Sequence, residues 1–342
     1  MRIGITYDLK SDQDVGDSAG PDDLLEEFDS PVTIEAIVQA LTAAGHEVEK
    51  LGDGRELLKR LLADPPDFVF NLAEGHGHAR SREARVPAVL EMLGIPFSGS
   101  DPLALAASLD KEVAKRLVAG SGVHVPDHVL ITGPEQRLPS RFFDQEAFPV
   151  LLKPAWEGSS KGIRQCCLVE EPKRLAAAVA KMLEDYQQPV LVEEFVEGDE
   201  LTVGMVGNAP PRILGSMRIL PRSPTTRFIY SLEVKRDFER QVFYEYPPGL
   251  PAEVMENTEK AALAAFMALG CRDVARADFR VRCGVPYFLE INPLPGLNPQ
   301  TSDLVILARL AGQSHQALVQ QILQAALKRQ AGAFRSPCLS VT

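Results

Sequence analysis

The stretch from Ala275 to Asn292 constrains this chain more than any other. Ala275-Arg-Ala-Asp-Phe-Arg-Val-Arg282 alternates apolar with polar residues, Cys283-Gly284-Val285 interrupts, and Pro286-Tyr-Phe-Leu-Glu-Ile-Asn292 resumes the alternation. This reads as two antiparallel strands joined by a three-residue turn that carries the glycine. With Arg282 facing Pro286, Asp278 lies across from Glu290 and Arg276 across from Asn292, all on one face. Opposed Cβ atoms in such a pair stand about 4.5 to 5.5 Å apart, so two carboxylates there repel each other unless a cation sits between them. Carboxylates with an amide oxygen are hard ligands, and Mg²⁺ takes a few of these and fills its octahedron with water and substrate phosphates. The competing reading is a solvated edge hairpin in which Arg276, Arg280 and Arg282 neutralise the acids.

Upstream, residues 3–7 alternate as a strand and a polar loop runs to about residue 29. Ser30-Pro31 then opens a helix with Ile34, Ile37, Val38 and Leu41 at helical spacing, and Gly45 ends it before a strand at 46–51. A second unit follows, with a strand at 68–72, a helix around 86–93 and a strand at 95–97. The first hundred or so residues are thus an α/β layer unit. After the break at 98–102 the pattern gives a helix at about 109–118, extended chain at 123–126, β-rich segments at 148–153 and 163–169, and a helix at 172–183. A strand at 190–192, antiparallel strands through 206 and 219, a helix at 251–269, the hairpin and two helices ending near 328 complete it, which is α+β character. The expected units are residues 1–103, 104–190 and 191–330, with a tail at 331–342.

A chain of 342 residues has room for two or three such units. Its net charge of −11 argues against a nucleic-acid binder, because that affinity depends on clustered Lys and Arg. Five cysteines, an odd number without C-x-x-C spacing, fit a reducing compartment. With no apolar leader and no run long enough to span a bilayer, the expectation is a cytoplasmic protein without a membrane partner.

Phe148-Pro-Val-Leu-Leu-Lys153-Pro154 ends a buried-looking strand on a lysine, and Gly158-Ser159-Ser160-Lys161-Gly162 follows. Backbone N–H groups of a Gly/Ser turn can converge on phosphate oxygens, with lysine as a point charge, although such a segment is also an ordinary hairpin turn. It precedes a strand and lacks the P-loop pattern. Lys111 starts a helix, where a cation gains nothing from the macrodipole, so it either has a distant partner or is solvated. Gly75-His76-Gly77-His78 imitates part of a dinucleotide fingerprint but lacks the third glycine. Glu74, His76 and His78 could ligate zinc, against which stands the reading of a polar loop near substrate.

Taken in order, Gly99-Ser100 with Leu109-Asp110-Lys111, Leu152-Lys153-Pro154 with Glu157-Gly158-Ser159-Ser160, Glu193 to Glu200, Arg276-x-Asp278, and Glu290-Ile-Asn-Pro-x-Pro-Gly296 resemble the D-alanine–D-alanine ligases of the ATP-grasp superfamily. The resemblance spans nearly the whole chain. It implies a three-domain ATP-grasp fold, α/β and α+β, with an N-terminal α/β (pre-ATP-grasp) domain and ATP between the other two lobes. It implies that Lys111 and Lys153 contact ATP, that the backbone of Glu193, Glu194, Phe195 and Val196 reads the adenine edge, and that Glu200 holds the ribose. Ser159 and Ser160 would lie in the phosphate-covering loop and Lys235 near the γ-phosphate. Asp278, Glu290 and Asn292 would hold two Mg²⁺ ions, with Mn²⁺ as a substitute, and Arg276 with the Gly296 backbone would stabilise the tetrahedral intermediate. Ser159 and Lys235 join these as catalytic residues. The family also implies a homodimer.

The substrate side departs from the family. Leu24-Leu-Glu-Glu27-Phe-Asp-Ser30 replaces a Ser-x-Glu-like segment, Arg236 stands where a tyrosine helps close the site, and the stretch from Asn71 to Glu83 replaces a His-Gly and Glu-Asp-Gly run. Gln300-Thr301-Ser302-Asp303 likewise replaces a Ser-His-Ser-Leu-like run. Glu27, His76, Glu83, Arg236 and Thr301 are the substrate residues this leaves, and Arg80, Arg82 and Arg236 could bind an extra carboxylate. The expected function is an ATP-dependent carboxylate–amine ligase working through an acyl phosphate on small amino-acid or carboxylate substrates. The alternatives are a ligase for a different amino-acid pair or a larger or acidic substrate, a silent nucleotide-binding module, and a dehydrogenase built on the first unit.

Overall fold

The computed structural model describes residues 1–10, 20–136, 138–140, 144–225 and 227–333. Part of the expected loop after Asp8, and the tail beyond residue 333 with Cys338, lie outside them.

The chain begins with β1 (Arg2–Thr6), in which Ile3 and Ile5 are fully buried. Helix α1 (Pro31–Ala43) starts on Ser30, whose hydroxyl accepts the Thr33 N–H. Then come β2 (Glu47–Lys50), α2 (Gly54–Ala63), β3 (Phe68–Asn71) and α3 (Arg85–Leu93). The strands form a parallel sheet with β1 in the middle. The strand expected at 95–97 is only a bridge from Phe97 to Val69. The Ile95 N–H is spent on the Leu90 carbonyl at the end of α3, and Pro96 has no N–H to donate, so no ladder can grow.

Two helices, α4 (Pro102–Leu109) and α5 (Lys111–Gly120), replace the single helix expected at 109–118. Asp110 separates them, its carboxylate accepting the Val113 N–H as the cap of α5. The central unit is an antiparallel sheet of β4 (His128–Ile131), β5 (Val150–Pro154), β6 (Leu168–Val169) and β7 (Val190–Glu194) in the order β4-β7-β5-β6. Its cover is α6 (Pro172–Tyr186), through Leu175, Val179, Met182 and Tyr186. Of the β-rich segment expected at 163–169 only β6 pairs, because a short 3₁₀ turn at Gln165–Cys167 takes up the preceding backbone.

The last unit holds β8 (Asp199–Val206), β9 (Arg212–Pro221), α7 (Leu232–Arg236), α8 (Phe238–Gln241), β10 (Val242–Glu245), α9 (Ala252–Ala268), β11 (Val274–Arg282) and β12 (Val285–Asn292). Its sheet is antiparallel throughout, in the order β10-β9-β8-β11-β12. Helices α10 (Asp303–Leu310) and α11 (His315–Ala333) follow, and Leu304, Leu318, Ile322 and Leu323 pack with Ile3, Ile5, Phe68 and Phe70 into one core. The far end of the chain therefore completes the first sheet.

Two expected boundaries move. Strand β7 pairs with β5 through Glu194, so a cut after residue 190 would remove a central strand from its sheet. Ala114 and Val118 of α5 pack with Phe266, Phe279 and Phe288, which places this helix on the last sheet and not the central one.

The hairpin shows two deviations that cancel. Cys283 and Gly284 have φ of 52° and 80°, a two-residue turn with both central residues left-handed, and Arg282 pairs with Val285. That shifts every pair by one from the expected register, until a bulge between Asp278 and Phe279 shifts it back. Asp278 thus faces Glu290 and Arg276 faces Asn292, as the alternation suggested.

Gly198, at φ 138°, leads into β8 beneath this hairpin, and a Cβ there would collide with the Val281 carbonyl. Gly198→Ala is expected to destabilise by roughly 2 kcal/mol or more, since strain and clash act together. An unchanged thermal midpoint would contradict this.

Candidate active site

Lysine pairing organises the cleft between the central and last sheets. Lys153, at the end of β5, and Lys115, on α5, are both buried and both bind the Glu193 carboxylate, Lys115 at 3.0 Å from Oε2. Burial alone would raise the Glu193 carboxyl, but the two lysines overrule it and hold it at about 2. Lys115 also donates to the Leu289 carbonyl at 3.0 Å, and burial pulls its ammonium down to about 8 despite Glu193. Sequence reasoning missed Lys115; its one signal is the helical spacing from Lys111 on α5. Thr202, whose hydroxyl donates to Asp278 Oδ1 at 2.8 Å, and Tyr230 were missed too.

The same cleft is lined by Ser160, Glu193, Glu194, Phe195, Val196 and Glu200, together with Lys235 and Asp278. The N–H groups of Glu194 and Phe195 donate to the Asp127 and Pro149 carbonyls. Among the described residues no backbone bond takes the Val196 N–H. Glu200 is held by Arg280 at 2.7 Å, and Arg280 stacks over the Phe195 ring. Lys235, on α7, stands 3.6 Å from Asp303 and over the Tyr230 ring. In the Gly/Ser turn, Ser159 and Ser160 both adopt left-handed φ, 49° and 58°. Successive left-handed non-glycine residues are uncommon and cluster where a loop serves a ligand.

Asp278 and Glu290 both line this cleft, and their carboxyls diverge. Burial pushes Asp278 up, only partly countered by Arg276, and Glu290 repels it further. Glu290 is driven well below the usual carboxylate range, because Lys111 and Lys153 outweigh its burial. Lys111 Nζ donates to Glu290 Oε2 at 2.9 Å and to the Glu157 carbonyl at 2.6 Å, so Lys111 is a buried, partnered cation. Arg276 Nη2 donates to Asp278 at 2.9 Å and its Nη1 stands 3.4 Å from Asp303. The Asn292 Nδ2 atom is buried without a hydrogen-bond partner among the described residues. Two carboxylates on facing strands, with the Asn292 amide two residues beyond Glu290 able to offer its oxygen, form a donor set that fits a hard divalent cation.

Two further cavities meet the cleft at these residues. A small acidic one is lined by Glu74, Glu83, Lys111, Ser159, Arg276, Glu290, Asn292 and Gly296. A larger one, about 320 Å³, is lined by Lys10, Glu27, Arg236, Arg276, Gly296 and Thr301 among others. Glu27 is not free there: Arg82, fully buried, donates to both its oxygens at 2.7 Å and stands 3.1 Å from Glu157. Arg82 therefore serves internal acids and is no substrate carboxylate clamp. Arg236 pairs with Asp22 and Glu26, each at 2.8 Å, and Arg80 is largely exposed beside Asp110. His76 lines none of these three cavities; its Nε2 lies 2.9 Å from Asp8, and Asp53 is its other neighbour. Burial, with repulsion from Glu27, keeps Glu83 at about 7, and burial with repulsion from Glu83 holds Glu74 well above its ordinary value.

Such a cleft between an antiparallel α+β lobe and a second lobe bearing acids and lysines, behind an α/β domain, defines an ADP-forming ligase of the ATP-grasp fold. The crystal structure of D-alanine–D-alanine ligase from Bacillus anthracis complexed with ATP superposes with a TM-score of 0.73 at 25% identity, covering 97% of this chain and 99% of that one. A family model described as D-ala D-ala ligase C-terminus matches residues 117–324. D-alanine–D-alanine ligase from Desulforamulus reducens is 32% identical over 302 residues, 86% of this chain and 93% of its own length. An uncharacterized protein, y4sG, from Sinorhizobium fredii is 34% identical over 307 residues, 87% of this chain and 88% of its own. The chain belongs to the D-alanine–D-alanine ligase family, and is an ATP-dependent ligase that forms an amide bond. No described helix is long and apolar enough to cross a membrane.

Proposed function

We propose that the enzyme phosphorylates the carboxylate of one amino acid and joins it to the amine of a second, with D-alanyl-D-alanine synthesis the nearest named activity. The observation that carries this is the junction at Glu290, Arg276 and Asp303. Glu290 is shared by the nucleotide cleft and the acidic cavity, Arg276 by the acidic and the large cavity, and Asp303 by the cleft and the large cavity. Phosphoryl donor, acceptor carboxylate and attacking amine thus have separate chambers with one meeting point.

In this reading Lys153, Lys111 and the Ser159-Ser160 turn hold the phosphates, Val196 N–H reads the adenine edge and Glu200 the ribose. Lys235 reaches the transferred group. Asp278, Glu290 and Asn292 would hold Mg²⁺, two ions or Mn²⁺ in their place, which when bound neutralises charge on the transferring phosphoryl group. Arg276 and the Gly296 N–H face the junction from which an oxyanion is held as the amine attacks. Glu74 and Glu83, buried carboxyls of the acidic cavity that favour their neutral form, ionise on accepting the ammonium of the first amino acid, because Glu27 is already neutralised by Arg82. Arg236 and Thr301 border the second amino acid.

Incubation with ATP, Mg²⁺ and single or paired D- and L-amino acids, with ADP and product mass as readouts, tests this. ADP release that requires an amino acid, accompanied by a dipeptide, is the expected result. Nucleotide binding without ADP release across the whole panel would sink the reading, and release with D-alanine alone would exclude a different amino-acid pair.

A further inference from the structure

The loops beyond β1, β2 and β3 bring Asp8, Asp53 and His76 together at the carboxyl edge of the first sheet, and the ligand atoms of all three lie within 4.8 Å of one another. His76 Nε2 stands 2.9 Å from Asp8 Oδ1 and 3.7 Å from Asp53 Oδ2. A first-row metal with bonds of about 2.1 Å sets its ligand atoms about 3.0 to 3.4 Å apart, so the observed pair of distances brackets what such an ion imposes.

Asp8 supplies the independent observation. Its side chain is fully buried, and its Oδ2 accepts the Gly75 N–H at 2.9 Å. Its Oδ1 has His76 Nε2 beside it at 2.9 Å but makes no hydrogen bond of acceptable geometry among the described residues. A buried carboxylate oxygen left in this state is costly, and a second carboxylate beside it adds repulsion. One proton on His76 would neutralise one acid; a dication held by two carboxylates and a neutral imidazole neutralises both. The imidazole is already positioned, its ring edge-on to Phe28 at 5.3 Å and its backbone carbonyl accepting from Arg85 Nη1 at 2.7 Å. Its side chain is 43% exposed, which leaves an open approach for the ion and a water ligand.

We propose that Asp8, Asp53 and His76 form a site for a divalent transition ion of the zinc class, separate from the nucleotide cleft. Nitrogen among its donors sets it apart from the all-oxygen set at Asp278, Glu290 and Asn292 and selects against Mg²⁺. The ion ties the ends of three strands together and fixes the loop that presents Glu74 to the acidic cavity.

The test is a Co²⁺ titration of the chelator-treated full chain in excess Mg²⁺ and a non-hydrolysable ATP analogue, which occupy the oxygen-ligand site. One equivalent of Co²⁺ with visible d–d bands, displaced by Zn²⁺, is expected. Asp53→Asn and His76→Ala should each weaken binding at least about tenfold, while their circular dichroism in chelator matches the wild type. Zn²⁺ should also raise the thermal midpoint of the wild type in excess Mg²⁺, a measurement that needs no variant. Equal Co²⁺ affinity in the variants, or a wild type with neither bands nor a raised midpoint, overturns the proposal and leaves an ion pair of His76 with its two acids.

Discussion

Glu290→Gln is expected to lower the rate of ADP formation at least about a thousandfold, equivalent to roughly 4 kcal/mol of transition-state stabilisation. Glutamine keeps the shape and removes the charge. Glu290 faces Asp278 across the hairpin, takes a hydrogen bond from Lys111 and belongs to both the nucleotide cleft and the acidic cavity. Its carboxyl lies far below the ordinary range because Lys111 and Lys153 outweigh burial and favour the anion. On the proposed function, its loss removes an anionic metal ligand and releases Lys111 from its partner in one step. Single-turnover ADP formation, with nucleotide affinity measured separately, checks this; a rate within tenfold of the wild type would remove Glu290 from the proposed metal set.

Arg82→Met is expected to be the most damaging single change to stability, at about 3 to 5 kcal/mol, because it abandons the Glu27 and Glu157 carboxylates in the interior. Burial already raises Glu157 to about 7, with repulsion from Glu27 adding and Arg82 and Lys161 opposing. Without Arg82 both acids move up. A carboxyl whose folded pKa is raised binds more protons folded than unfolded, so its contribution is fully present below the unfolded value near 4.5 and is lost as pH rises through the folded value. The deficit of Arg82→Met should therefore be larger at pH 8 than at pH 5.5. Urea midpoints of both proteins at the two pH values give the answer, and a deficit independent of pH would show that the arginine contributes by packing alone.

The sequence revealed features whose cause is local. Alternation along 275–282 and 286–292 placed Asp278 opposite Glu290, since a period of two leaves few registers once one face is buried. The turn was misread, because Cys283 in a left-handed conformation carries no strong sequence signal, and the bulge repaired the register by a step that alternation cannot reveal. Buried pairings were less visible. Arg82 reads as a surface arginine until the chain brings Glu27 and Glu157 around it, and Lys115 reads as an ordinary helix lysine until Glu193 arrives from β7. Such partners are separated by tens of residues, and only tertiary packing defines them. His76 shows the same limit: the zinc reading placed Glu74 and His78 beside it, whereas Asp8 and Asp53 from other loops stand there.

Because Ile3, Ile5, Phe68 and Phe70 share a core with Leu318, Ile322 and Leu323, the first sheet emerges during synthesis without part of its apolar cover. Its completion waits for the last helix, hundreds of residues later in translation. A nascent chain stalled before α11 would hold an uncapped, sticky β-layer suited to chaperone capture, and a stop codon shortly before that helix would disable the opposite end of the molecule.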